Sequence, residues 1–170
     1  MPRPSASDAG FGQHYIALAQ GSSVKEVVSN HAAGILAFYT SLPAEKKDFA
    51  YGEDKWTIIE LLQHVIDAER VFTYRALRFA RRDATPLPGF DENDYAANSM
   101  AAGRNFDELK EEFTALRKAT DIFISSLSEE QLQQGGTSNN KYITVNALAF
   151  IIYGHLLHHI NIIKERYLPA

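Results

Sequence analysis

The chain has 170 residues, enough for one domain that builds its own core. Its 17 Lys and Arg against 21 Asp and Glu give a net charge of −4. That balance argues against a nucleic-acid surface, which usually shows a basic stripe. The absence of cysteine excludes disulfides, thiolate metal ligands and a cysteine nucleophile. It also agrees with a reducing cytoplasm, where we expect the protein.

Residues 1–12 (MPRPSASDAGFG) are rich in Pro, Ser and Gly and are expected to be a flexible segment, leaving 13–170 as a single domain. They contain no apolar core of signal-peptide length. A first helix is expected from about Ser23 to Leu42, ended by Pro43. Ser23 and Glu26 have capping-box spacing. Its apolar residues, Val24, Val27, Val28, Ile35, Leu36, Phe38 and Tyr39, suit a one-sided helix better than a strand. The second helix has the clearest start: Thr57-Ile-Ile-Glu60 is a capping-box pattern directly before an apolar-periodic run. It is expected to continue to about Arg82, with Leu61, His64, Val65, Ala68, Phe72 and Leu77 recurring at intervals of three and four.

Asp83 to Phe90 (DATPLPGF) reads as a loop by its Pro and Gly content, with a short helical turn near Glu92 to Ala97. A third helix is expected from about Asn105 to Leu127, and Ser128-Glu-Glu-Gln131 opens a further short turn. Gln133 to Lys141 reads as a polar loop, and no strand pattern of any length is evident. Thr144 opens the fourth long helix, which is expected to reach about Tyr167. The apolar run Ile143 to Ile163 is long enough to span a membrane. Asn146, three histidines and Asn161 would be costly in lipid, so we read it as a buried helix with no membrane partner. Four long amphipathic helices point to an all-α four-helix bundle.

Three histidines interrupt the last helix. An α-helix turns about 100° per residue, so positions four apart share a face. His155 and His159 fall on the stripe of Leu148, Ile151, Ile152 and Ile162; His158 lies at its edge. On the second helix, His64 shares a stripe with Leu61, Ala68 and Val71. If the two helices are neighbours, three imidazoles converge. A divalent metal would satisfy all three rings at once, and three protein ligands with an open fourth position describe a catalytic zinc-type site. Imidazole suits zinc, nickel, copper and iron alike. The competing reading is three packed core histidines, and the pattern is not the H-E-x-x-H of metalloproteases. His14 and His31 have no partner in pattern and suit surface positions.

Other polar residues have two readings each. Asp67, one turn after His64, could orient a ligand ring or accept a proton, or it could be a solvated carboxylate. Glu69 faces away from His64 and is either solvated or paired with a residue on another helix. Arg75 lies on the His64 stripe, where it could bind an anionic substrate group; we favour its snorkelling to the bundle end, in a solvated cluster with Arg78, Arg81 and Arg82. Trp56 and Tyr153 read as packing residues rather than pocket walls.

Lys55-Trp56-Thr57-Ile-Ile-Glu60-Leu-Leu-Gln-His64 resembles the W-S/T-x-x-E-x-x-x-H segment of the DinB-like (DinB/YfiT) family. Asp67 to Arg81, Leu87 to Glu92, and Gly154-His155-Leu-Leu-His158-His159 resemble the same family in its second helix, following loop and last helix. The resemblance implies a four-helix bundle of up-down-down-up order. It also implies a metal held by three histidines, at positions His64, His155 and His159 here. It further implies a homodimer and thiol transfer on a small-molecule substrate, with a low-molecular-weight thiol as one candidate; the open three-histidine set equally suits hydrolysis. The rivals are a non-catalytic metal- or ligand-binding bundle and a dimerisation module. No nucleic-acid partner is implied.

Overall fold

The structure, a computed structural model, describes residues 1–168. Seven helices and one hairpin follow in order: α1 (Gln13–Leu18), α2 (Val24–Thr40), α3 (Ile58–Ala80), α4 (Glu92–Asn98), α5 (Phe106–Ser126), α6 (Glu129–Gln133), β1 (Gly135–Ser138), β2 (Lys141–Thr144) and α7 (Val145–Ile162), which continues as a π-helical turn over Ile163–Tyr167. The four long helices form the expected bundle in up-down-down-up order. Helices α2 and α3 each pack against both α5 and α7. Sequential helices α2 and α3 therefore sit across a diagonal. Helices α3 and α5 are neighbours that run the same way. At 1.5 Å per residue α3 is about 34 Å long, so the chain must travel back that far before α5 begins. The connection over 81–105 does this, carrying α4 and a short turn at Ala101–Gly103.

Local chemistry sets the helix starts. In α3 the Thr57 backbone N–H donates to Glu60 Oε2 at 2.7 Å and Glu60 N–H donates to Thr57 Oγ1 at 3.4 Å, the reciprocal box expected from sequence. Thr144 Oγ1 caps α7 by accepting from Ala147 N–H at 3.1 Å. In α2 only half of the expected box forms. Ser23 Oγ accepts from Glu26 N–H, but the Glu26 carboxylate turns to the Ser22 N–H and hydroxyl instead.

Helix α7 is the bundle's centre. Val145 to Leu156 are all buried, so the window that is long and apolar enough for a membrane span is 78% buried inside the protein. Two features escape the sequence reading. Residues 135–138 and 141–144 pair as an antiparallel hairpin where we expected a loop, with Asn139 and Asn140 at positive φ in the turn. The second is α1, which packs along α7. It approaches so closely that a Cβ at Gly154 would lie 1.9 Å from the Tyr15 carbonyl oxygen. Upstream of α1, Arg3 donates to the carbonyls of Ala19 (2.8 Å) and Gly21 (2.9 Å), and Asn146 Nδ2 donates to the Pro2 carbonyl.

Candidate metal centre

His64 comes from the second turn of α3, and His155 and His159 from successive turns of α7. The contact between these two helices brings them together, as their shared apolar stripes anticipate. All three are buried, at 9%, 4% and 8% exposure. His155 Nε2 lies 3.2 Å from His64 Nε2 and 3.2 Å from His159 Nε2. The three potential ligand atoms all lie within 4.8 Å of one another.

Hydrogen bonding alone does not account for this geometry. A neutral imidazole nitrogen carries either one proton or one in-plane lone pair, so it serves one partner well. His155 Nε2 faces two. Three lone pairs aimed at one cation satisfy every contact. Ligands held about 2.0–2.1 Å from a tetrahedral zinc sit roughly 3.3 Å apart, close to the two separations observed. The residues present therefore fit a divalent metal.

Protonation favours the same arrangement. Burial, with the charge of His158 as a smaller contribution, holds His64 down to about 4. Burial, followed by the neighbouring imidazoles, holds His155 and His159 well below the usual histidine range. All three are neutral near pH 7, the form that can ligate. His159 Nδ1 is buried without a partner among the described residues, so there this ring lacks the outer hydrogen bond that commonly fixes a ligand's tautomer.

The cluster opens into a cavity of about 350 Å³. Phe72, against His155 at 5.5 Å, and Trp56, tilted on His64 at 4.7 Å, form one wall. Tyr15 from α1 meets His155 edge-on at 5.2 Å. Burial, reinforced by the Glu92 charge, raises the Tyr15 hydroxyl, which stays a neutral donor. The half-buried His158 and the exposed His14 line the mouth, their rings 6.0 Å apart. Phe90 and Gly89 close the far side. The loop carrying them is anchored, because Leu87 N–H donates to the Thr137 carbonyl and Asn139 N–H to the Leu87 carbonyl. A Cβ at Gly89 would meet Asn139 Oδ1 at 2.6 Å, so a larger residue here would displace the Asn139 side chain.

Several sequence expectations are corrected here. Asp67 does not line the cavity. Three residues beyond His64 on a helix is a rotation of about 60°, which turns it towards the connector. There it accepts from Gln63 Nε2 at 2.9 Å and joins an ionic cluster of Arg70, Arg104 and Glu112. Of the two readings for Glu69, pairing holds: it is 1% exposed, with Oε1 2.9 Å from Arg117 Nη1 on α5. Arg75 is buried in the cavity wall rather than snorkelling, while Arg78 and Arg82 pair with Asp83 and Glu130. Trp56 is a wall residue, and His14 belongs to the cavity mouth. His31 sits at the surface as expected. Tyr15, Phe11 and Phe90 went unrecognised. They sit in short or irregular segments with no periodicity to aim them.

The sequence matches the DinB superfamily over residues 29–163. No curated protein matches it. Among solved structures it is similar to YfiT from Bacillus subtilis, described as a probable metal-dependent hydrolase with an unusual four-helix bundle topology. That match has a TM-score of 0.65 at 18% identity and covers 100% of this chain and 94% of the other, a likeness of fold.

Proposed function

The chain belongs to the DinB superfamily, and from that premise we propose that it is a metal-dependent enzyme acting on a small molecule, with His64, His155 and His159 as the metal ligands. The observation that carries this reading is the pair of 3.2 Å contacts at His155 Nε2, which one imidazole nitrogen cannot satisfy by hydrogen bonding. A divalent zinc, nickel or iron held there would act as a Lewis acid and lower the pKa of a bound water or thiol near neutral pH. Hydrolysis is the reaction we favour, in line with the description of YfiT; thiol transfer uses the same site with a thiol as nucleophile.

The remaining roles belong to the chain itself. Tyr15, whose ring meets His155, carries a neutral hydroxyl that suits an oxygen gaining charge. His158 and His14, at the mouth, are placed to exchange protons with solvent. Phe72, Trp56 and Phe90 exclude water from the inner cavity. The enzyme would work in the cytoplasm as a homodimer, in keeping with a cysteine-free chain and the family resemblance.

The test is turnover. The zinc-, nickel- or iron-loaded protein is assayed against a panel of small esters and amides, and against thiols paired with electrophiles. Turnover that disappears in His64→Ala is the expected result. A fully loaded protein that turns over nothing would favour the rival, a non-catalytic metal-binding bundle.

A further inference from the structure

The imidazoles occupy one region of the cavity, and Arg75 occupies another. Arg75 is 3% exposed. Arg70, Arg78, Arg82, Arg104 and Arg117 each meet an acidic side chain, but among the described residues no carboxylate pairs with Arg75. Nη2 donates to the Pro88 carbonyl at 2.9 Å, and among the described residues the rest of the guanidinium meets no acceptor. The rings of Phe11 and Phe90 flank it, each with its centroid 5.8 Å from Cζ. A guanidinium stays charged in a protein, and a buried charge without a counter-ion is strongly disfavoured. Its remaining N–H groups face the cavity, where an anion would supply the counter-charge that the protein does not.

The cavity limits which anion that is. Its charged lining residues are Arg75 and Glu92, and Glu92 is exposed. One cation suits one negative charge, and a dianionic phosphate would leave charge uncompensated beside Glu92. The guanidinium fork matches the planar carboxylate in two parallel hydrogen bonds. His64 and Arg75 stand about 16 Å apart along α3, shortened by the arginine side chain leaning back towards the N-terminus. Phe72 lies between them on the same helix. Its ring is 5.5 Å from that of His155 and 6.2 Å from that of Phe11.

We propose that Arg75 binds the carboxylate of a monoanionic ligand whose apolar middle lies over Phe72 and whose far end reaches the three imidazoles. The substrate class is thus a monocarboxylate with its reactive group several bonds away across an apolar spacer. The role of the far end rests on the metal-site reading above; the anion site does not.

The chain's single tryptophan, Trp56, lines the same cavity and reports binding by fluorescence. The full-length protein, metal-free and zinc-loaded, is titrated with hexanoate, hexanamide, mercaptohexanoate and mercaptohexanamide. Mildly alkaline pH keeps the imidazoles neutral, so that Arg75 is the cavity's cation. Each acid is expected to bind about tenfold or more tightly than its amide, in the metal-free protein as well. Arg75→Gln abolishes that preference and Arg75→Lys keeps part of it, with zinc content unchanged in both. Equal binding of acid and amide to the unaltered protein overturns the proposal, as does a preference that survives in Arg75→Gln. Should Arg75→Gln fail to fold, the acid–amide comparison on the unaltered protein decides alone. A protein that prefers hexanoate but holds no zinc sinks the metal reading and leaves the anion site standing; zinc held without acid preference does the reverse.

Discussion

Helix α3 contributes to two buried polar clusters, and they are built on opposite principles. His64 joins His155 and His159 beside a cavity. Glu69, from the same helix, joins Arg117 and Asp121 of α5 and Tyr153 of α7. The second cluster closes on itself. Burial pushes the Glu69 carboxyl up while the Arg117 charge opposes this, and Arg117 also stacks over the Tyr153 ring at 4.7 Å. The Glu69–Arg117 contact is an ion pair rather than an aligned hydrogen bond, since neither Glu69 oxygen has a well-oriented donor. Its positive charge meets negative charge within the protein, and Glu69 and Arg117 line no cavity described above. The histidine cluster has no internal counter-charge: three neutral imidazoles converge beside a cavity. A buried cluster whose charges cancel within the protein serves the fold, whereas neutral ligand atoms converging beside a cavity suit a bound cation.

That contrast is breakable in graded steps. The largest effect should come from Glu69→Ala, which strands Arg117 without its buried partner; a loss of about 3–5 kcal/mol is expected in urea unfolding. A loss under about 1 kcal/mol would mean that the pair is not the closed unit described. Next is pH. In the metal-free chain the His64 pKa falls from 6.5 unfolded to about 4 folded, so the unfolded state binds more protons between these values. Stability is therefore full above about pH 6.5 and is lost as pH falls towards 4, by about 3 kcal/mol for His64 alone, with His155 and His159 acting in the same direction. Thermal unfolding across that range measures it, and a flat profile would contradict the buried neutral imidazoles.

A smaller effect is expected from Gly154→Ala, which pushes α1 from α7 and costs about 1–3 kcal/mol. Because Tyr15 moves with α1, its ring contact with His155 should loosen too, read as a changed His155 signal in imidazole NMR. The smallest belongs to Asp67→Asn. It should leave metal content unchanged and stability within about 0.5 kcal/mol, since Asp67 is half-buried in a screened ionic cluster. Loss of metal in this variant would restore Asp67 to the site.

What could be read beforehand follows a physical line. The i,i+4 spacing of His155 and His159 and the stripe shared by His64 are periodic signals, and periodicity tells which face turns inward. The Thr57 capping box likewise marked the start of α3, and Ser128-Glu-Glu-Gln131 the start of α6. The partner of Glu69 could not be named, because Arg117 reaches it only once α3 and α5 are neighbours. Arg75 was on the right stripe, but its burial depends on Phe11 and Phe90, which come from irregular segments. Those segments are placed by the hairpin and by close approaches at Gly89 and Gly154, contacts between residues far apart in the chain. Helix α1 has six residues, too few for a periodic pattern to stand out.

The central claim is that three imidazoles on α3 and α7 hold one divalent ion. X-ray absorption on the zinc-loaded protein, with metal analysis of His64→Ala, His155→Ala and His159→Ala, tests it most directly. The account predicts one ion per chain, three imidazole nitrogens at about 2.0–2.1 Å, and weakened binding in every variant. An ion bound elsewhere, or a folded His64→Ala that retains its full metal content, would contradict it.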